Sequence, residues 1–207
     1  MKHHFQNNSP SFPVLYKAAF AVALLALLHG CASEQPKKVE IQPDIKPAVI
    51  IPPVVLADFE TAMAFVKSEE YEKSIPIFNK IIQDYPNNAI PYINLALVYK
   101  KLGQFELAEN HLKLALNVDH ENPVANNEYA LLLRKTGRFA EARKLYEKTL
   151  DTYPNFDMAH KNLGILCDLY MKDYACAMKH YGIYSKAKPD DKNVRIWITD
   201  LKNRMKQ

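Results

Sequence analysis

Glycine and cysteine are scarce in this sequence, and charge of neither sign dominates it. Five glycines among 207 residues leave little material for glycine-rich phosphate-binding loops, which need backbone positions with φ > 0. Three cysteines are too few for a disulfide scaffold. A net charge of +4 predicts no broad basic face for nucleic acid. With 48% hydrophobic and 24% charged residues, the composition is that of an ordinary globular protein.

Enzyme signatures are also missing from the sequence. It contains no HExxH, GxSxG, GxGxxG or CxxC pattern, so the usual zinc, nucleophile, dinucleotide and redox motifs are absent. We therefore predict that the protein is not an enzyme and has no catalytic residues, resident metal or cofactor. We also expect it to bind neither a small-molecule substrate nor nucleic acid.

The N-terminus has the pattern of an export signal. An apolar run of eleven residues, Ala18–Leu28, follows a segment with two lysines and no acid. This run is too short to span a bilayer, which takes about 20 apolar residues. It leads into Leu28–Cys31 (LHGC), which resembles the bacterial lipobox. The resemblance implies a signal peptide over residues 1–30 and a membrane anchor on lipidated Cys31; an ordinary cleaved signal or an uncleaved anchor is the alternative.

The residue after Cys31 bears on the location. It is Ala32, and not the aspartate that retains lipoproteins of this kind at the inner membrane. The resemblance therefore implies a periplasm-facing protein that is anchored in a bacterial outer membrane.

A proline-rich segment separates Cys31 from the rest of the chain. Residues 32–54 hold five of the 13 prolines and no lasting helical or strand period. We interpret residues 31–54 as a semi-extended tether. Its apolar end, Val49–Leu56, is expected to dock on the domain that follows.

A period of 34 residues runs through that domain. Pro86, His120, Pro154 and Pro189 are 34, 34 and 35 residues apart. A fixed period of 34 is typical of tetratricopeptide arrays, and the chain resembles this family over residues 55–191. The predicted units are 55–88, 89–122, 123–156 and 157–191.

Small residues recur inside each unit where two antiparallel helices would meet. Ala96, Ala130 and Gly164 on the first helices are expected to face Ala108, Ala142 and Ala177 on the second helices. The resemblance implies an all-α fold, a right-handed solenoid of about four helix-turn-helix units. Residues 192–207 carry one apolar stripe and are predicted to form a C-terminal capping helix, with a basic amphipathic membrane helix as the alternative.

Two features depart from the regular pattern. The fourth unit has one extra residue within 169–173, which we expect to lengthen its turn. Pro76 falls inside the second helix of the first unit, where a proline costs about 3 kcal/mol unless the helix starts late or kinks. We therefore expect the first unit to be the most irregular.

Arrays of this family bind a peptide or helix in the groove that their first helices line. Here the groove would present an apolar strip flanked by asparagine and lysine, suited to an apolar segment whose backbone is held by amides. The alternative is that these residues pack on one another or on Val49–Leu56. The predicted groove residues are Phe59, Met63, Ile93, Asn94, Leu97, Lys101, Asn127, Leu131, Lys135, Lys161, Asn162 and Ile165.

The fourth unit also holds two cysteines and two histidines. Cys176 and His180 are four residues apart on one predicted helix and are accompanied by His160 and Cys167. Two inert cysteines are the first expectation. A Cys167–Cys176 disulfide and a site for a soft metal are the alternatives.

The resemblances together imply a non-catalytic, lipid-anchored periplasmic adaptor that binds a protein partner. The chain is similar to the tetratricopeptide lipoproteins that help assemble type IV pilus secretins, so an envelope machine of that kind is the expected partner. An adaptor that regulates cell-wall enzymes is the alternative. A metal- or redox-responsive protein that uses Cys167 and Cys176 is a third hypothesis.

Overall fold

The structure is a computed structural model that describes residues 53–206. The predicted signal peptide, Cys31 and the tether as far as residue 52 lie outside the described residues. The described chain forms the helices α1 (Pro53–Lys67), α2 (Tyr71–Asp84), α3 (Ala89–Lys101), α4 (Phe105–Val118), α5 (Pro123–Lys135), α6 (Phe139–Thr152), α7 (Asp157–Ile165), a π-helical segment (Leu166–Met171), α8 (Tyr174–Ala187) and α9 (Lys192–Arg204). Within this range there is no strand, and no helix is long and apolar enough to cross a membrane.

Helices pair in sequence into four hairpins, and each hairpin turns at a residue in the left-handed region. The four turn residues recur every 34 or 35 positions, because the same turn closes each hairpin. The N–H of the residue after the turn residue donates a hydrogen bond to a carbonyl of the first helix, for example from Gln104 to Tyr99 at 2.9 Å. The turn residues are Glu69 (φ 61°), Gly103 (φ 77°), Gly137 (φ 81°) and Lys172 (φ 58°).

Small residues line the contact between the two helices of each hairpin. Ala96 and Ala108 share one core cluster, and Ala130 and Ala142 share another. All four are at most 1% exposed. Gly164 plays the same part in the fourth hairpin, where a Cβ atom would stand only 2.5 Å from Cδ1 of Tyr181.

Asparagine and aspartate side chains cap the N-termini of several helices that follow the end of a unit. Asn122 accepts hydrogen bonds from the N–H groups of Val124 and Ala125, at 3.1 and 3.0 Å, and Pro123 occupies the first position of α5. The side chains of Asn88 and Asp191 cap α3 and α9 in the same way. These caps satisfy backbone N–H groups that a helix start leaves unpaired, so they mark the unit junctions.

The first unit is less irregular than its proline predicts. Helix α2 begins at Tyr71 and continues through Pro76 to Asp84. The proline is on the exposed side, whereas Phe78 and Ile81 of the same helix are 0% and 2% exposed. Burial of these two side chains, worth about 1.5–3 kcal/mol each, offsets the lost hydrogen bond.

The apolar end of the predicted tether is part of the array. Residues 53–56 form the first turn of α1, so they do not dock on it as a separate segment. Val55 is buried, while Val54 and Leu56 are exposed. Residues 49–52 lie outside the described range.

The extra residue of the fourth unit is accommodated in a π-helical segment just before the turn residue. The chain after α7 continues as the π-helical segment Leu166–Met171, and Lys172 then takes the same left-handed turn as its counterparts. The closing hydrogen bond runs from Asp173 N–H to the carbonyl of Cys167 at 2.9 Å, one residue further back than in the other hairpins. The hydrogen-bonded turn is therefore one residue longer, as expected, and the added residue is part of the π-helical segment and not of a loop.

Helix α9 covers the end of the array. Val194 and Leu201 are 0% exposed, and the ring of Trp197 lies 5.6 Å from that of Tyr181. Arg204 joins the cap to the π-helical segment through an ion pair with Asp168 at 2.8 Å. Because its apolar stripe packs on the preceding unit, α9 is a capping helix and has no such stripe free for a membrane.

Candidate protein-binding groove

The first helices of the units, α1, α3, α5 and α7, provide the face on which the groove was predicted. Helix α3 contacts α5, and α5 contacts α7, so these helices lie side by side. Residues seven or eleven apart on one helix share a face, which places Ile90, Leu97 and Lys101 of α3 on the same side. The predicted residues of α1 lie at equivalent positions, and Phe59 packs edge-on against Phe78 at 5.9 Å.

The groove asparagines are used inside the array. The amide of Asn162 donates to the side-chain oxygen of Asn127 at 2.9 Å, and both residues are buried. The amide of Asn94 donates to the carbonyl of Ile90 on its own helix, also at 2.9 Å. The first of these hydrogen bonds links α5 to α7, and the second stays within α3, so each of the two donor amides already makes one hydrogen bond inside the array.

Two of the predicted groove residues of the fourth unit, Lys161 and Ile165, lie against the capping helix. Lys161 forms an ion pair with Asp191 at 2.9 Å and lies over the rings of Tyr184 and Trp197, at 5.1 and 5.8 Å. The Asp191 carboxylate raises the pKa of Lys161, and Lys161 holds the pKa of Asp191 at about 2. Ile165 faces a cavity of about 200 Å³ that it shares with Trp197. Lys161 and Ile165 thus interact with the capping helix and its N-cap residue.

A larger cavity opens where the second, third and fourth units meet. Its volume is about 550 Å³, and it combines cations with aromatic and aliphatic side chains. Arg134 lies over the ring of Tyr170 at 5.8 Å, Lys135 lies over Phe105 at 4.8 Å, and the Phe139 and Tyr170 rings are 4.9 Å apart. The cavity is lined by Lys100, Lys101, Leu131, Arg134, Lys135, Gly137, Phe139 and Tyr170. Three of the predicted groove residues, Lys101, Leu131 and Lys135, are therefore brought together.

Charge at this cavity is mainly positive. Lys100 is paired with Glu128 in a partly buried ion pair. Within residues 53–206, Lys101, Arg134 and Lys135 have no carboxylate partner. Arg134 instead donates to the carbonyl of Asn162 at 3.5 Å. The cavity therefore suits an anionic group attached to an apolar body.

A row of exposed apolar side chains was missed by sequence reasoning. It has one member in the first turn of each first helix, and the members are 34 residues apart. They lie on the groove face, since Ile90 stands seven residues before Leu97 on α3. The row consists of Leu56 (50% exposed), Ile90 (47%), Val124 (45%) and Met158 (48%). Extending the predicted groove positions one turn toward the helix starts would have found it.

The cysteines and histidines of the fourth unit form two separate pairs. Cys167 and Cys176 are joined by a disulfide, so the first expectation of two free thiols does not hold. Asp173 is near both sulfur atoms, but sulfurs bonded to each other do not provide thiolate ligands. His160 and His180 are buried with their Nδ1 atoms 2.9 Å apart, and His160 Nε2 lies 2.9 Å from the carbonyl of Pro154.

Comparison with known families and structures defines the class of this fold. A family model described as tetratricopeptide repeat matches residues 56–88, and one described as YpiA-like, C-terminal tetratricopeptide repeats matches residues 91–155. YrrB, a solved TPR protein described as having an unusual peptide-binding site, aligns with a TM-score of 0.56 at 21% identity, over 68% of this chain and 72% of that chain. The predicted all-α tetratricopeptide solenoid with a capping helix is confirmed.

Among individual proteins, the chain is similar to PilF of Pseudomonas aeruginosa. The solved PilF structure aligns with a TM-score of 0.67 at 21% identity, over 73% of this chain and 69% of that chain. In sequence, the type IV pilus assembly protein PilF is 25% identical over 147 residues, which are 70% of this chain and 58% of PilF. The small glutamine-rich tetratricopeptide repeat-containing protein 2 of Mycosarcoma maydis is 26% identical over 48% of this chain and 28% of its own length. The chain thus spans less than two thirds of the full length of PilF and of the Mycosarcoma maydis protein.

Proposed function

We propose that this protein is a lipid-anchored periplasmic adaptor that binds a protein partner along its first helices during assembly of an envelope machine such as a type IV pilus secretin. Tetratricopeptide folds are generally non-enzymatic scaffolds for protein or peptide partners, and neither family model that matches this array is catalytic. The likeness to PilF, a type IV pilus assembly protein, supports the choice of machine. The LHGC sequence that ends at Cys31 supports the anchor.

One observation carries the binding function: the exposed apolar row on the first helices. Leu56, Ile90, Val124 and Met158 are each between 45% and 50% exposed, although the same chain buries its interhelical alanines completely. Aligned apolar side chains at a fixed period on one face mark an interaction surface, whereas isolated exposed ones do not. The row and the cationic cavity lie on the same helices, α3 and α5, the row at their first turns and the cavity at their last turns.

Photocrosslinking in the native cell tests the binding function. A photoreactive amino acid is placed at Val124, which is 45% exposed on a first helix, or at Leu114, which is 44% exposed on a second helix. We expect a specific crosslinked protein from Val124 and none from Leu114. Mass spectrometry of the product then identifies the partner as a secretin, a pilus component or a cell-wall enzyme. Equal products from both positions, or none from Val124, would show that this face is not the working surface.

The anchor is tested separately from binding. Cells that express the full chain or Cys31→Ser are labelled with a clickable palmitate analogue and fractionated. We expect the label and the membrane association of the full chain to be lost in Cys31→Ser. Labelling of the variant would remove the lipidation proposal and leave the adaptor proposal intact.

A further inference from the structure

The end of the groove face opposite the apolar row is a basic edge. Helices α1, α3 and α5 each end on a lysine, and these three lysines are 34 residues apart. Lys100 and Arg134 add a second cation to the last turns of α3 and α5. A helix C-terminus favours a cation by a fraction of a kcal/mol, which accounts for one such residue but not for four cations around one cavity. The basic edge consists of Lys67, Lys100, Lys101, Arg134 and Lys135.

Most of this positive charge is unmatched in the array. Glu128 neutralises Lys100, and none of the carboxylates in the described range forms an ion pair with Lys101, Arg134 or Lys135. Lys101 and Lys135 are exposed, and Tyr170 beside them is 47% exposed. A partner with carboxylates at this edge would therefore gain charge pairs without displacing existing ones.

The distance between the two edges fits a helix. Ile90 and Lys101 are eleven residues apart on α3, which is about 16 Å along the axis at 1.5 Å per residue. An α-helix with its side chains is about 10–12 Å wide. A helix lying across α3 and α5 would fit within this width, contacting the apolar row on one side and lying close to the lysines of the basic edge on the other.

From this arrangement we infer that the groove takes an amphipathic helix of the partner, with apolar residues along one side and glutamate or aspartate along the flank that meets the basic edge. This inference rests on the proposed binding function and specifies the partner's chemistry. The occupant contributes its carboxylates to the 550 Å³ cavity and packs its apolar side on Ile90 and Val124.

Defined peptides test the inference with the purified full chain. The first probe is a fluorescein-labelled helix of three heptads, about 30 Å long, with leucines on one face and glutamates on the flank. The second probe has glutamine in place of every glutamate. Binding is measured by fluorescence anisotropy with the native chain, with Lys101→Glu/Lys135→Glu, and with Lys144→Glu/Lys148→Glu. The last variant is the matched control, because it changes the net charge equally at two exposed lysines of α6.

We expect the native chain to bind the glutamate peptide about tenfold more tightly than the glutamine peptide, with a preference that weakens as salt is added. Lys101→Glu/Lys135→Glu should lose that preference, and the α6 control should keep it. Equal affinity for the two peptides, no binding of the glutamate peptide, or equal losses in both variants would overturn the inference. The inference would also be overturned if the chain bound phosphatidylglycerol vesicles through Lys101 and Lys135 but did not bind the peptide. The Val124 crosslink decides the binding function independently, so each idea can fail alone.

Discussion

Replacing Gly164 with alanine measures how tightly the fourth unit is packed. A Cβ atom at this position would lie 2.5 and 2.7 Å from the Cδ1 and Cε1 atoms of Tyr181, well inside van der Waals contact. The Tyr181 ring has little room to move, because it is 1% exposed and lies 5.6 Å from the ring of Trp197. Its hydroxyl also donates to Asp168 at 3.4 Å.

The expected effect combines two opposing contributions. Overpacking a filled core by one methyl group costs about 1–3 kcal/mol. Alanine stabilises a helix interior by about 0.5–1 kcal/mol relative to glycine. Strain is the larger contribution, so we expect Gly164→Ala to lower the free energy of unfolding by about 1–2 kcal/mol. For a domain of this size that corresponds to a Tm about 3–6 °C lower.

Gly182→Ala is the matched control for this substitution. Gly182 lies inside α8, and a Cβ atom there has nothing within 4 Å. The same glycine-to-alanine change should therefore raise stability by about 0.5–1 kcal/mol. Urea unfolding followed by circular dichroism compares the two variants on the same chain.

A second substitution shows whether the Tyr181 ring causes the strain. The second unit places Leu112 at the position equivalent to Tyr181 and Ala96 at that of Gly164. Tyr181→Leu should consequently make Gly164→Ala less harmful, with a favourable coupling of about 1 kcal/mol in the double-mutant cycle. If Gly164→Ala is as stable as Gly182→Ala, or if the coupling is zero, the packing argument is refuted.

Three further predictions concern the fourth unit. Lys172→Gly should raise the free energy of unfolding by about 1 kcal/mol, because Lys172 holds φ at 58° where glycine is unstrained; an unchanged urea midpoint would contradict this. Burial, with the nearby charge of His160, lowers the pKa of His180 to about 4. On acidification the unfolded chain therefore protonates His180 before the folded chain does, and stability should fall by roughly 3 kcal/mol as pH drops from about 7 to 4. His180→Gln should reduce this loss when urea unfolding is repeated across that pH range. Cys176→Ser should cost about 2–3 kcal/mol through the opened loop, and dithiothreitol should lower the urea midpoint of the native chain but not that of the variant. A native chain whose midpoint dithiothreitol leaves unchanged would contradict the disulfide.

The hairpins were predictable because their signals are local and periodic. The same spacing separates the small residues Ala96 and Ala130 and the turn glycines Gly103 and Gly137, so the pattern of one unit predicts the structure of the next. The placement of the extra residue was not predictable in this way. An added residue fits either a longer loop or a widened helix, and the left-handed turn at Lys172 with its closing hydrogen bond to Cys167 favours the helix.

The groove was predictable as a face but not as a set of free side chains. Helical spacing places Asn127 and Asn162 on the first helices, but whether their amides reach each other depends on the distance between units. Lys161 meets Asp191, which follows it by 30 residues, because the cap folds back over the last unit. The spacing of residues within one helix predicts neither the distance between the two asparagines nor that between Lys161 and Asp191.

The last unit of the array differs from the others in the kind of contact that stabilises it. A terminal unit has a repeat neighbour on one side only, so it buries less surface against other units. Here the capping helix supplies the missing contact, in part through the Lys161–Asp191 ion pair, and the Cys167–Cys176 disulfide links parts of the unit itself. The ion pair uses Lys161, one of the predicted groove residues. The apolar row nevertheless stays exposed along all four units, from Leu56 to Met158, so a partner can bind or leave there without breaking the interactions that close the array.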